Sequence, residues 1–298
     1  MNSLFIEKFK VPEVAVNYLD LFFEPSEIEF VEKINKDVFT KEDVEKIIDE
    51  KDFLQKSYQR ALISVKDEEK GLYRLNNFYE KLNEFCITER DLYRSINEED
   101  RQKIESWFFN SFFEALPDKT VPTDDRVYLL EEILEYIENE ERTPYLNYCD
   151  CRSVRGDCGL PTKTCITYNT GINSRIDRGI GEKIDKETAK QIVINAEKEG
   201  LMHTANSNGI CNCCGDCCYI LRSLQRKNSQ GVWPISKYIV DFDEEKCISC
   251  GKCVKRCHFG VFEKKDKKIT IANKEKCIGC GICKSTCKAN AITMKERD

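Results

Sequence analysis

Two stretches near the end of the chain, EEKCISCGKCVKRC and KEKCIGCGICKSTC, lie 30 residues apart and nearly superimpose. Cys247, Cys250, Cys253 and Cys257 form C-x2-C-x2-C-x3-C, and Cys277, Cys280, Cys283 and Cys287 repeat it. Thiolates at intervals of three set their sulfurs around three corners of a cube. The fourth, after a short helical turn, points away toward a second cube. No other feature of the chain narrows its possible folds so far.

Such a doubled run is a ligand set for two [4Fe–4S] clusters, in which the fourth Cys of each run serves the other cluster. The expected sets are therefore Cys247, Cys250, Cys253 and Cys287 for one centre, and Cys277, Cys280, Cys283 and Cys257 for the other. Gly251 and Gly281 let the backbone pass close to the clusters. Residues 238–298 thus resemble the bacterial two-[4Fe–4S] ferredoxins, whose clusters carry single electrons. The usual Cys-Pro ending is replaced by His258 and Lys288, which removes a bend-fixing ring but no ligand. The connection FGVFEKKDKKITIANKE reads as a hairpin with a lysine-rich tip.

Cysteine and charge are both unevenly spread. Seventeen of the 18 cysteines lie from Cys149 onward. Residues 1–148 carry a formal charge of −15 and residues 149–298 one of +9, within a total of −6. The positive excess sits where anionic clusters would offset it. No window reaches the roughly 18 apolar residues of a membrane span. The start, MNSLFIEKFKVPE, lacks a signal-peptide apolar region, so a cytoplasmic location is expected. That compartment keeps thiols reduced, which favours metal ligation over disulfides. With only His203 and His258 present, histidine-rich zinc sites and haem are disfavoured.

Residues 149–232 hold nine cysteines: Cys149, Cys151, Cys158, Cys165, Cys211, Cys213, Cys214, Cys217 and Cys218. The run CNCCGDCC places five of them in eight residues. Side chains of adjacent cysteines diverge, so each pair is expected to serve two different sites across a Gly215-Asp216 turn. Nine ligands suffice for one or two further [4Fe–4S] clusters, with Cys151, Cys158, Cys165 and one Cys of 211–218 the preferred set. A thiol/disulfide reaction centre, a cluster with a non-cysteine ligand, zinc and unligated thiols stay open. Arg152 and Arg155 are expected to balance cluster charge. His203 is either a ligand or a packed loop residue, and His258 either a hydrogen-bond donor near a cluster or a solvent-facing ring.

The first half reads as helical. NYLDLFF, EIEFVEKI and KEDVEKII space apolar residues by three and four, with Thr40 capping the last and Asp43 completing a capping box. FLQKSYQRALI is a further helix, and ISVKDEEKGLYRL a hairpin. Helix, turn, helix, hairpin resembles a winged helix. A helix over about Asp125–Glu141 and a strand at YLNYC follow. Another helix is capped by Asp185, buries Ala189, Ile192, Val193 and Ala196, and stops at Gly200. SLQRKNSQGVWPISKY reads as a linker with a Trp-Pro anchor. Cys86, Trp107 and WFFNSFF read as core.

Together CDCRSVRGDC, EKEGLMHTANSNGICNCCGDCC, GVWPISKY and the cysteine repeat make the whole chain resemble the dicluster ferredoxin-like proteins of anaerobic bacteria and archaea. The resemblance implies an α+β chain of three parts: 1–148, an acidic winged-helix-like docking domain; 149–232, a cysteine-rich cluster-binding domain; and 233–298, the two-cluster ferredoxin fold. The implied role is relay of low-potential electrons between a donor and a partner oxidoreductase. The alternatives are a reductase with its own cysteine-rich active site, and a redox-responsive DNA-binding regulator. Nucleic acid is disfavoured as a partner, because the first half is acidic and its candidate recognition helix offers only Lys56 and Arg60. No dinucleotide fingerprint or P-loop is present.

Overall fold

The computed structural model describes residues 3–118, 124–156 and 158–297. It mixes helices and strands in two compact units. One comprises residues 1–112, 153–155 and 169–181; the other comprises 113–152, 156–168 and 182–298.

The first unit is mostly helical, with its core built from phenylalanines. Phe22 meets Phe78 edge-on at 5.0 Å, and Phe5 meets Phe23 at 4.8 Å. Such offset and edge contacts are the favoured aromatic geometries. Trp107 and Phe108 join this core, and Cys86 is buried in it. Thr40 caps the helix Lys41–Glu45, and Asp43 accepts from the Thr40 amide, closing the capping box. The helix Phe53–Gln59 precedes an antiparallel hairpin of Ile63–Asp67 and Leu72–Leu75. The segment 169–181 docks on this hairpin. Asn173 bonds both the N–H and C=O of Val65, and Arg178 donates to the Ile63 carbonyl and Ser64 hydroxyl.

The second unit is built on a seven-stranded sheet. Its order is Glu182–Lys183, Tyr145–Tyr148, Lys163–Thr167, Gly209–Cys213, Met202–Asn206, Arg126–Tyr128, Ile235–Ser236. All neighbours are antiparallel except the last pair. Helices Leu130–Asn139 and Lys186–Glu199 cover one face, packing Ile133, Ile137, Ala189 and Val193 against Ile166, Ala205 and Ile210. Asp185 and Gly200 cap the second of these helices at its two ends. The other face carries Val127, Met202 and Cys213, which share an apolar core with the C-terminal cysteine repeat.

Two expectations change. The helix anticipated from Asp125 begins at Leu130; residues Arg126–Tyr128 are a strand paired with His203–Ala205. The helical spacing of Val127 was satisfied equally by one face of a sheet, and the Glu132 carboxylate bonding the Leu129 amide starts the helix later. The anticipated linker from Ser223 also opens inside a helix, Tyr219–Lys227. Its anchor holds, with Trp233 buried ahead of a cis Pro234 and donating to Asp125.

The C-terminal repeat folds as two short helices, Lys252–Arg256 and Ile282–Thr286, between two hairpin-like strand pairs. Tyr238–Phe242 pairs with Ile292–Glu296, and Phe262–Lys265 pairs with Lys268–Ile271 around a tip at Asp266 and Lys267. No helix among the described residues is long and apolar enough to cross a membrane.

Candidate metal centres

The pseudo-repeat places its eight cysteines around two separate cavities. Cys257, Cys277, Cys280 and Cys283 line the first, among Val240, Phe259, Val261, Ile278 and Ile282. Cys247, Cys250, Cys253 and Cys287 line the second, among Phe242, Ile248, Ile269 and Ile292. Each cavity therefore takes three thiols from one run and the last thiol of the other. The apolar walls suit a cluster that must be shielded from water, and thiols are the donors iron–sulfur clusters use.

Amides point at these sulfurs. Ser249 N–H lies 3.3 Å from Cys247 Sγ, and Gly279 N–H lies 3.4 Å from Cys277 Sγ. Both residues occupy the same repeat position and both have positive φ, 54° and 72°. Sequence inspection singled out Gly251 and Gly281 but missed this pair, because a serine in the left-handed region carries no signature. At Gly279 a Cβ would fall 2.2 Å from the Tyr238 carbonyl, so the approach needs glycine. Burial pushes the Cys253 thiol up to about 11 and raises Cys277 and Cys280 as well. Ligation must displace those protons, so metal uptake is coupled to their release.

Residues 240–294 match the family model of the 4Fe-4S dicluster domain. This segment is a 4Fe-4S dicluster domain, and it gives the chain an iron–sulfur electron-transfer role. The match spans the two cavities and stops short of the nine middle cysteines. No curated protein sequence matches the chain.

Those nine thiols separate into two groups. Alternation along the strands puts Cys165, Cys211 and Cys213 on the sheet face opposite Ile166 and Ile210. Cys149 caps the short helix Asp150–Arg155, which brings Cys151 alongside, and Cys218 caps the helix Tyr219–Lys227. The six influence one another electrostatically in a closed ring: Cys149 with Cys151 and Cys165, Cys151 with Cys218, Cys218 with Cys213, Cys213 with Cys211, and Cys211 with Cys165. Cys213 and Cys218 sulfurs are 3.4 Å apart. The second group is Cys158, Cys214 and Cys217, whose sulfurs all lie within 4.8 Å of one another.

The CNCCGDCC run is thus symmetric about Gly215-Asp216. Its outer members Cys213 and Cys218 face the ring, and its inner members Cys214 and Cys217 face the trio. Of the preferred set, Cys151 and Cys165 belong to the ring, whereas Cys158 belongs to the trio.

Arg152 is 1% exposed and stands between the groups, attracted by Cys149, Cys165, Cys213 and Cys214. It donates to the Asn212 carbonyl at 2.7 Å and to the Thr164 hydroxyl at 2.5 Å. Arg155 lies in the other unit, 3.9 Å from Glu105, and its expected role beside the middle cysteines gives way to that acidic partner. His203 is fully buried on a strand, its Nδ1 2.7 Å from Asn212 and its Nε2 3.0 Å from Glu197. Both ring nitrogens are occupied, which makes it a packed histidine and leaves none for a metal. His258 is largely enclosed, 3.7 Å from Asp216.

The ring thiols bias one another. Donation from Cys151 and then Cys213 draws Cys218 down to about 5, and donation from Cys165 and then Cys213 draws Cys211 down to about 6. The donors Cys151 and Cys213 are held protonated in consequence.

Proposed function

We propose that this protein relays low-potential single electrons between a donor and a partner oxidoreductase, in a reducing cytoplasm and an anaerobic metabolism. Two [4Fe–4S] clusters carry them, one on Cys247, Cys250, Cys253 and Cys287, the other on Cys277, Cys280, Cys283 and Cys257. The observation that supports this most is the lining of the two cavities, each made of one of these crossed sets. The clusters supply the redox chemistry. The chain supplies thiolates, an apolar shell, and amides at Cys247 and Cys277 that favour the reduced, more anionic state.

The nine middle thiols extend the relay, as one or two further metal centres that [4Fe–4S] clusters would fill in the simplest scheme. Contact supports this route. Cys213 and Cys218 share an apolar core with Cys253 and Cys277. Gly215 lies so close to His258, next to the ligand Cys257, that a Cβ there would sit 2.4 Å from the His258 Cβ. The helical N-terminal unit, winged-helix-like in its order of elements, serves as a docking scaffold. Its Lys56 and Arg60 are committed to Glu50 and Glu27, both at 2.8 Å, which supports a protein partner over nucleic acid.

The pairing of ligands is tested by EPR of reduced single variants. Cys250→Ala and Cys287→Ala should leave the same residual cluster signal, and Cys257→Ala and Cys280→Ala should leave the other. A Cys287→Ala spectrum matching that of Cys280→Ala would contradict the crossed sets.

A further inference from the structure

We propose that Cys158, Cys214 and Cys217 bind a single zinc ion whose fourth position is open to an exogenous thiolate. This inference deepens the reading of the middle segment as a metal-binding extension of the relay, and it departs from filling that segment with cubes alone.

Spacing carries the argument. A cube offers each thiolate its own iron, which sets ligand sulfurs about 6 Å apart. Around one tetrahedral ion with metal–sulfur bonds of about 2.3 Å, ligand sulfurs stand only about 3.8 Å apart. Cys158 and Cys214 sulfurs are 3.9 Å apart, and all three lie within 4.8 Å. The chain provides its own comparison, because no such close trio forms among the eight described cysteines of the dicluster domain. The trio is thus drawn together more tightly than any three cysteines of the dicluster domain.

The fourth position follows from what surrounds the three sulfurs. Among the described residues no fourth Cys, His, Asp or Glu joins the group. Three protein ligands with one place left is the pattern of catalytic rather than structural zinc. Cys214 and Cys217 are buried, and Cys158 is half-buried, so the open place lies on the Cys158 side. Ala196, Leu201 and Leu160 pack on the trio. A soft thiolate with an apolar body suits such walls. Zinc with three thiolates carries one net negative charge, and Arg152 beside Cys214 offsets it. The Cys217 amide, 3.3 Å from Cys214 Sγ, fixes the geometry.

The test uses the full-length protein purified anaerobically. Zinc, iron and acid-labile sulfide are counted per chain in the wild type and in Cys158→Ser, Cys214→Ser and Cys217→Ser. EPR of the dicluster domain serves as the folding control. Each variant should lose about one zinc, no sulfide and none of the EPR signal. Cobalt exchanged for zinc in the wild type should give tetrahedral thiolate bands that shift when 2-mercaptoethanol is added. Loss of about four iron and four sulfide in the variants would overturn the proposal in favour of a cube. Unchanged zinc, or cobalt bands indifferent to the thiol, would overturn it too. A wild type with the zinc but without the dicluster EPR signal would instead sink the relay, leaving the zinc site standing.

Discussion

Lys81 shows how one residue can tie stability to pH in the N-terminal unit. Its side chain is 1% exposed, donates to the Arg60 carbonyl at 2.8 Å and stands 3.7 Å from Glu27. Burial outweighs the carboxylate and lowers its pKa from 10.5 to about 8. Below pH 8 the amine is charged in both folded and unfolded chains, and the folded state bears the full cost of burying it. Between about 8 and 10.5 the unfolded chain binds more protons, so stability rises with pH, by on the order of 3 kcal/mol across the window. Denaturant midpoints across that range should rise in the wild type and stay flat on this account in Lys81→Met. Arg152 acts through charge in the other unit. Arg152→Met should weaken metal retention at both middle groups by about 10–100-fold, measured by chelator competition, with the dicluster EPR signal unchanged. Equal retention in the variant would show that the guanidinium only packs.

At the scale of elements, the turn Gly215-Asp216 is the joint between the cysteine-rich sheet and the dicluster domain. Gly215→Ala drives a Cβ into the His258 side chain and should cost about 1–3 kcal/mol in thermal or denaturant unfolding of this unit. A neutral effect would mean that the joint yields freely. This turn also marks where the sequence was legible and where it was not. The adjacent pairs Cys213-Cys214 and Cys217-Cys218 announce two sites, because neighbouring side chains diverge. Which thiols join them from elsewhere depends on strand pairings such as Thr204 with Cys211 and Asn147 with Cys165, which no local pattern reveals. Caps at Thr40, Asp185 and Gly200 were readable for the opposite reason, being settled within a few residues. Val127 misled because a single apolar residue at helical spacing fits one face of a sheet as well. His203 stayed open between a ligand and a packed loop residue until Glu197 and Asn212, six and nine positions away, were folded against it on a strand.

At the scale of the molecule, a dicluster domain, a sheet lined with thiols and a mostly helical unit form a chain with more cysteines than its two C-terminal cavities need. The central claim is that two clusters sit in the C-terminal segment and pass electrons on. Iron and acid-labile sulfide per chain, read beside EPR of the dithionite-reduced protein, test it most directly. About eight iron and eight sulfide from these two clusters, rising to about twelve of each with a cube on the ring of six middle thiols, and signals from two interacting reduced clusters, is the predicted result. Protein holding zinc without sulfide, and silent after reduction, would contradict it.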